Sequence, residues 1–104
     1  MSWGDPFYKF YKGDSDKRQA VIISSGLTPG TMVTYGKLGN GKTMYVWSMP
    51  DFQSDSWLVF TGIGVIIAVD YESDPTADWL MLLLNTPAKQ AFCWLPASLV
   101  RKVE

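Results

Sequence analysis

The sequence predicts an all-β protein. Two observations carry this. From Thr31 onward, short runs rich in Val, Ile, Tyr, Trp and Leu follow one another, the residues that fit a pleated, half-buried surface. Between them stand clusters of Gly, Pro, Asn, Asp and Ser, which supply the special backbone angles of turns.

The elements follow in order. Residues 1–20 hold Trp3, Phe7, Tyr8, Phe10 and Tyr11 among Gly, Asp, Pro and Lys. This pattern fits neither strand alternation nor a helical stripe, so it reads as an aromatic arm. The run 18–25, RQAVIISS, suits a strand or one helical turn, and periodicity does not separate the two at that length. In LTPG, Pro29 and Gly30 occupy the centre of a turn, with φ fixed by Pro and positive φ open to Gly. TMVTYGKL then reads as a strand, GNG at 39–41 as a hairpin turn, and TMYVWS as the returning strand, because Asn-Gly between β-rich runs is a strong hairpin signal. Pro50 and the polar residues around it break the pattern. SWLVFTGIGVIIAVDYE is the next extended run, with Gly62 and Gly64 marking a bend or bulge. After the SDPTAD turn, WLMLLLN suits strand or helix by composition, and its shortness favours strand. AFCWL is a further strand, PAS a turn, and LVRKVE the last strand. The total is five or six short antiparallel strands, a small barrel.

Composition narrows the function. At 104 residues with 47% hydrophobic and 14% aromatic content, the chain suits a single packed domain. Nine basic and ten acidic residues leave a net charge of -1, without the basic patch that nucleic acid binding needs. There is no histidine, and Cys93 is the sole cysteine. A disulfide framework, His/Cys metal sites and imidazole-based triads are therefore excluded. No cofactor is expected. The N-terminus lacks a signal-peptide pattern, and no apolar run approaches the ~20 residues that span a bilayer.

One motif points elsewhere. GKLGNGKT at 36–43 satisfies the phosphate-loop pattern G-x-x-x-x-G-K-[ST]. Such a loop works only where a strand feeds it into a helix N-terminus. The residues after Thr43 are β-branched and aromatic and run into Pro50, so no helix is expected there. The match is a coincidence built on an Asn-Gly turn.

LTPGTMVTY, GIGVIIAVDYE, ADWLMLLLN and AFCWLPASLVRKV, in that order, resemble the SH3-like barrel. In that family a Pro-Gly turn leads into the first strand, a Gly-x-Gly strand crosses the barrel, and a hydrophobic strand follows. A W-x-P-x-x-L turn then precedes the last strand. The resemblance covers residues 27–104. It makes residues 36–56 a hairpin insertion and leaves 1–26 as the arm. Barrels of this kind carry many unrelated activities.

Asp70, Glu72, Asp74 and Asp78 cluster around one turn, with Asp51 and Asp55 in a nearby loop. Oxygen ligands of this kind suit hard cations, although solvated turns carry them routinely. Lys9, Lys12, Lys17 and Arg18 interleave with the arm's aromatics, a stacking pattern seen in single-strand binders. The neutral overall charge argues against it, so packing is the expected role. Cys93, between Phe92 and Trp94, reads as a small hydrophobe.

The most informative feature is an excess. A half-solvated strand alternates apolar and polar residues, yet Trp79 to Leu84 is apolar throughout, as is Ala91 to Leu95. A single barrel has one inside, so the outward side chains need a further cover. The expectation is a non-enzymatic structural protein that packs against other protein subunits, its own or different, and not against a membrane or nucleic acid. Its candidate interface residues are Trp3, Phe7, Tyr8, Phe10, Tyr11, Trp57, Trp79 and Trp94. In size and composition the chain is similar to small bacteriophage virion proteins, which implies a virion or host-cytoplasm location. The alternative is a monomeric SH3-like module that binds a peptide or nucleic acid.

Overall fold

The structure, a computed structural model, describes residues 10–35, 43–84 and 92–103. Their order is one helix, α1 (Ser15–Ser24), followed by strands β1 (Met32–Tyr35), β2 (Thr43–Trp47), β3 (Ser56–Phe60) and β4 (Gly62–Asp70). After these come β5 (Trp79–Leu84), β6 (Phe92–Pro96) and β7 (Val100–Lys102). The seven strands form one curled antiparallel sheet in the order β3-β2-β6-β5-β4-β1-β7. The fold is all-β with a barrel-like shape. With β2 and β3 set aside, the order β6-β5-β4-β1-β7 is compatible with an SH3-like barrel.

Three expectations are corrected. β1 does not pair with β2. It pairs with β4 and β7, whereas β2 pairs with β3 and β6. The inserted hairpin is β2–β3, and its turn lies at residues 48–55, where the Ser48 amide donates to the Asp55 carbonyl at 2.8 Å. The expected Asn-Gly turn lies outside the described residues. Second, 56–72 is not one extended run, because it breaks at Thr61 into strands on opposite sides of the sheet. The register shift in β4 falls between Ile66 and Ala68 rather than at the glycines. Gly64 serves a different need: a Cβ there would stand 3.0 Å from the Leu83 carbonyl oxygen, so the close β4–β5 approach requires glycine.

Third, residues 15–24 are a helix, not part of an irregular arm. The Asp14 carboxylate caps it by accepting from the Lys17 amide at 3.0 Å. Its C-terminal end is closed by the Gly26 amide donating to Ile23 and the Leu27 amide donating to Ile22, with Gly26 at φ +73. This is a Schellman closure. The hydrophobic contact that accompanies it is here part of the core, since Ile22 and Leu27 are both buried there.

The strands number seven rather than the expected five or six, and several other elements lie where the sequence places them. Gly30, at φ +91, occupies a turn closed by the Thr31 amide on the Thr28 carbonyl, 3.1 Å. β5 and β6 are strands, and PAS initiates a 3₁₀ turn, Ala97–Leu99. The core fills the concave side of the sheet with Val33 and Tyr35 of β1, Val46 of β2, Ile66 of β4, Leu80, Leu82 and Leu84 of β5, and Cys93 and Leu95 of β6.

One buried ion pair fastens the helix to the sheet. Arg18 Nε donates to Asp78 Oδ1 at 2.6 Å, with both side chains almost wholly buried. Arg18 Nη2 also donates to the carbonyls of Asp74 and Ala77, at 2.8 and 2.9 Å. The Phe10 ring lies 4.8 Å from the guanidinium carbon, within cation–π range. Removing one partner of such a pair strands a buried charge, at about 3–5 kcal/mol. Asp78→Ala and Arg18→Ala are each expected to destabilise by that amount in urea unfolding. The double variant Arg18→Met/Asp78→Leu should recover part of the loss, since the two carbonyls stay unpaired. Single-variant losses below about 1 kcal/mol, the value of an exposed pair, would contradict this account.

Candidate interaction surface

Strand alternation decides which side chains leave the core. On β2 and β3, alternation from the buried Val46 puts Met44, Val46, Trp57 and Val59 on the core side, and Trp47 at the end of β2 also reaches core residues. The outward set is therefore Thr43, Tyr45, Trp47, Ser56, Leu58 and Phe60. Registers carry this face across the sheet, through Trp47↔Trp94, Met81↔Trp94, Leu83↔Phe92, Val65↔Leu83 and Met32↔Val65. From β3 to β1 the outward residues carry no charge until Asp70 at the end of β4. Tyr45, Leu58, Phe60, Ile63, Leu83, Phe92 and Met32 on this face are all exposed. An antiparallel sheet with one wet face normally shows polar residues there.

One end of the outer face has its own cover. The 48–55 turn lays Phe52 against Trp47 and Trp79, with ring centroids 5.1 and 4.7 Å apart, and Trp47 meets Trp79 edge-on at 5.5 Å. Trp79 Nε1 donates to Asp74 Oδ2 at 2.9 Å, the polar partner that a buried indole needs. Asp51 holds the turn by accepting the Gln53 amide at 2.7 Å.

The sequence-predicted residues therefore separate. Trp79, which the sequence leaves as either anchor or core, is fully buried beneath Phe52 and Trp47. Trp57 is half-buried on the core side, and Trp94 half-buried on the outer face. Phe10 and Tyr11 are half-buried beside α1, Phe10 against Arg18 and Tyr11 with the Lys17 ammonium 5.7 Å from its ring centroid. Trp3, Phe7 and Tyr8 lie outside the described residues. The exposed set Tyr45, Leu58, Phe60, Ile63, Leu83 and Phe92 was not singled out from sequence. The signal for Leu83 and Phe92 was present in their uniformly apolar runs.

The acidic turn is internally satisfied. Burial works to raise the Asp70 pKa, but the Ser73 hydroxyl and the Ser73 and Glu72 amides outweigh it and hold the group below its ordinary value. For Asp74 burial likewise opposes, while the Thr76 hydroxyl and amide and the Trp79 indole bring the net value down. Asp78 is occupied by Arg18. An open cleft of about 380 Å³ separates the turn from Pro50–Gln53. Among the described residues no group of three or more His, Cys, Asp or Glu is placed to hold a metal ion, and no helix is long and apolar enough to cross a membrane. The strand that begins at Thr43 removes the helix a phosphate loop requires.

Cys93 points into the core, and burial pushes its thiol up to about 12. Reaction requires thiolate and access. Ellman's reagent is expected to leave the native protein unmodified at pH 8 and to titrate one thiol after denaturation. Rapid labelling of the folded chain would place Cys93 outside the core.

In comparisons with known proteins, no family model, no curated protein and no solved structure matches the chain.

Proposed function

We propose that this protein is a non-enzymatic assembly component that works by burying its outer sheet face against neighbouring protein subunits. The observation that carries the reading is the uncharged apolar face running from β3 to β1, exposed at Phe60, Leu58, Tyr45, Phe92, Leu83, Ile63 and Met32. Fully burying one Leu or Phe side chain is worth roughly 1.5–3 kcal/mol. Several such residues on one face outweigh the 0–1 kcal/mol, roughly, of any surface ion pair. The likeness in size and composition to small bacteriophage virion proteins makes a virion the setting we favour.

A monomeric peptide-binding module is the second reading, favoured by the SH3-compatible strand order. Against it, Trp79, the aromatic at the start of β5, is sealed beneath Phe52 and Trp47 and offers no open aromatic groove.

Leu83→Lys/Phe92→Lys places two charges on cross-strand neighbours of the outer face. The variant is expected to keep the parent's far-UV circular dichroism. Light scattering after size-exclusion chromatography should show a parent that self-associates and a variant of lower mass than the parent. A parent that is a freely soluble monomer, unchanged by the substitutions, would contradict the proposal.

A further inference from the structure

The two edges of the sheet are built differently. β7 is three residues long and carries Arg101 and Lys102, the charged, short form that discourages strand addition. β3 reads Ser-Trp-Leu-Val-Phe without a charge, a proline or a bulge. Among the described residues no strand lies beyond it.

The ladder phase shows what this edge offers. The Ser48 amide bonds to the Asp55 carbonyl, and the register runs without a shift from Trp47↔Ser56 to Thr43↔Phe60. In an antiparallel ladder, bonded and non-bonded pairs alternate. Trp57 and Val59 therefore direct their amides and carbonyls to β2, and Ser56, Leu58 and Phe60 direct theirs to the free edge. These last three also carry exposed side chains, Leu58 at 53% and Phe60 at 74%.

We propose that the β3 edge pairs antiparallel with β3 of a second copy of this chain, about a two-fold axis at Leu58. The strand is complementary to itself in that register. Leu58 falls opposite Leu58, Ser56 opposite Phe60, and Trp57 opposite Val59, so core-facing and outward sets stay on their own sides. Three bonded pairs contribute about six hydrogen bonds. Asp55, the nearest charge, falls opposite Thr61 of the second copy, so no like charges meet. The contact joins the two outer faces through Tyr45, Leu58 and Phe60. Five residues per copy bury less than the ~1,200 Å² of a stable interface, so the pair alone exchanges with monomer over a roughly micromolar range. The inference rests on the assembly reading and names its first partner.

Leu58→Pro tests it. The substitution removes an amide that faces the free edge and none from the β2 ladder, the position at which a strand tolerates proline. Leu58→Lys is the second variant, exposed and placing two ammonium groups across the axis. Sedimentation velocity of the full chain across a concentration series reads the result. The parent is expected to move from one-chain to two-chain mass, and both variants to raise the required concentration at least about tenfold. A parent that is monomeric throughout overturns the pairing and self-assembly together. Leu58→Pro and Leu58→Lys associating like the parent, while Leu83→Lys/Phe92→Lys does not, overturns the pairing alone and leaves the outer-face reading standing.

Discussion

Asp78 ties together three parts of this structure. Its carboxylate takes Arg18 from the helix, and its carbonyl accepts the Ala97 amide of the 3₁₀ turn at 2.8 Å. The next residue begins β5. One buried acid thus fixes α1, the entry to the central strand and the corner leading into β7. Burying a charge is costly unless it is paired and hydrogen-bonded. Here the cost is offset by an arginine whose Nη2 also donates to the carbonyls of Asp74 and Ala77. With α1 held there, Ile22 and Leu27 enter the concave core, and the helix is committed to one side of the sheet.

That commitment leaves the opposite face unmatched. Seven strands present two surfaces, and the helix serves the inner one. The 48–55 turn covers part of the outer one by placing Phe52 over Trp79. Beyond that corner the surface stays uncharged and mostly apolar to β1. A sequence selected only for a solvated outer face would have polar residues at Leu83, Phe92, Leu58 and Phe60. Their presence is explained if burial comes from another chain, and the unguarded β3 edge beside the guarded β7 edge points the same way.

Much of the strand content was legible in the sequence because β-branched and aromatic runs between Gly, Pro and Asp are local signals. The Pro29–Gly30 turn, β5 and β6 lay where residue chemistry alone places them. Pairing was not legible. Asn40-Gly41 sits between β1 and β2, yet those strands join different neighbours, since sheet order depends on long-range packing that no dipeptide encodes. The helix was only half legible, because Val21, Ile22 and Ile23 suit a strand as well as a helical turn. The Asp14 cap and Gly26 stop were available signals that outweigh that local preference. Of the candidate surface, the apolar excess on β5 and β6 was visible. Its sides were not, because assigning inward and outward requires the register, and so Trp79 stands as either anchor or core from sequence while Leu58 and Phe60 are not singled out.

Hydrogen–deuterium exchange resolved to single amides in β3, recorded on dilute and concentrated samples, tests the central claim most directly. An outer face and free edge that meet a neighbouring copy predict amides of Ser56, Leu58 and Phe60 that exchange quickly when dilute and become protected on concentration. Trp57 and Val59, bonded to β2, should be protected in both samples. Free-edge amides that exchange at the same rapid rate at every concentration would contradict the account.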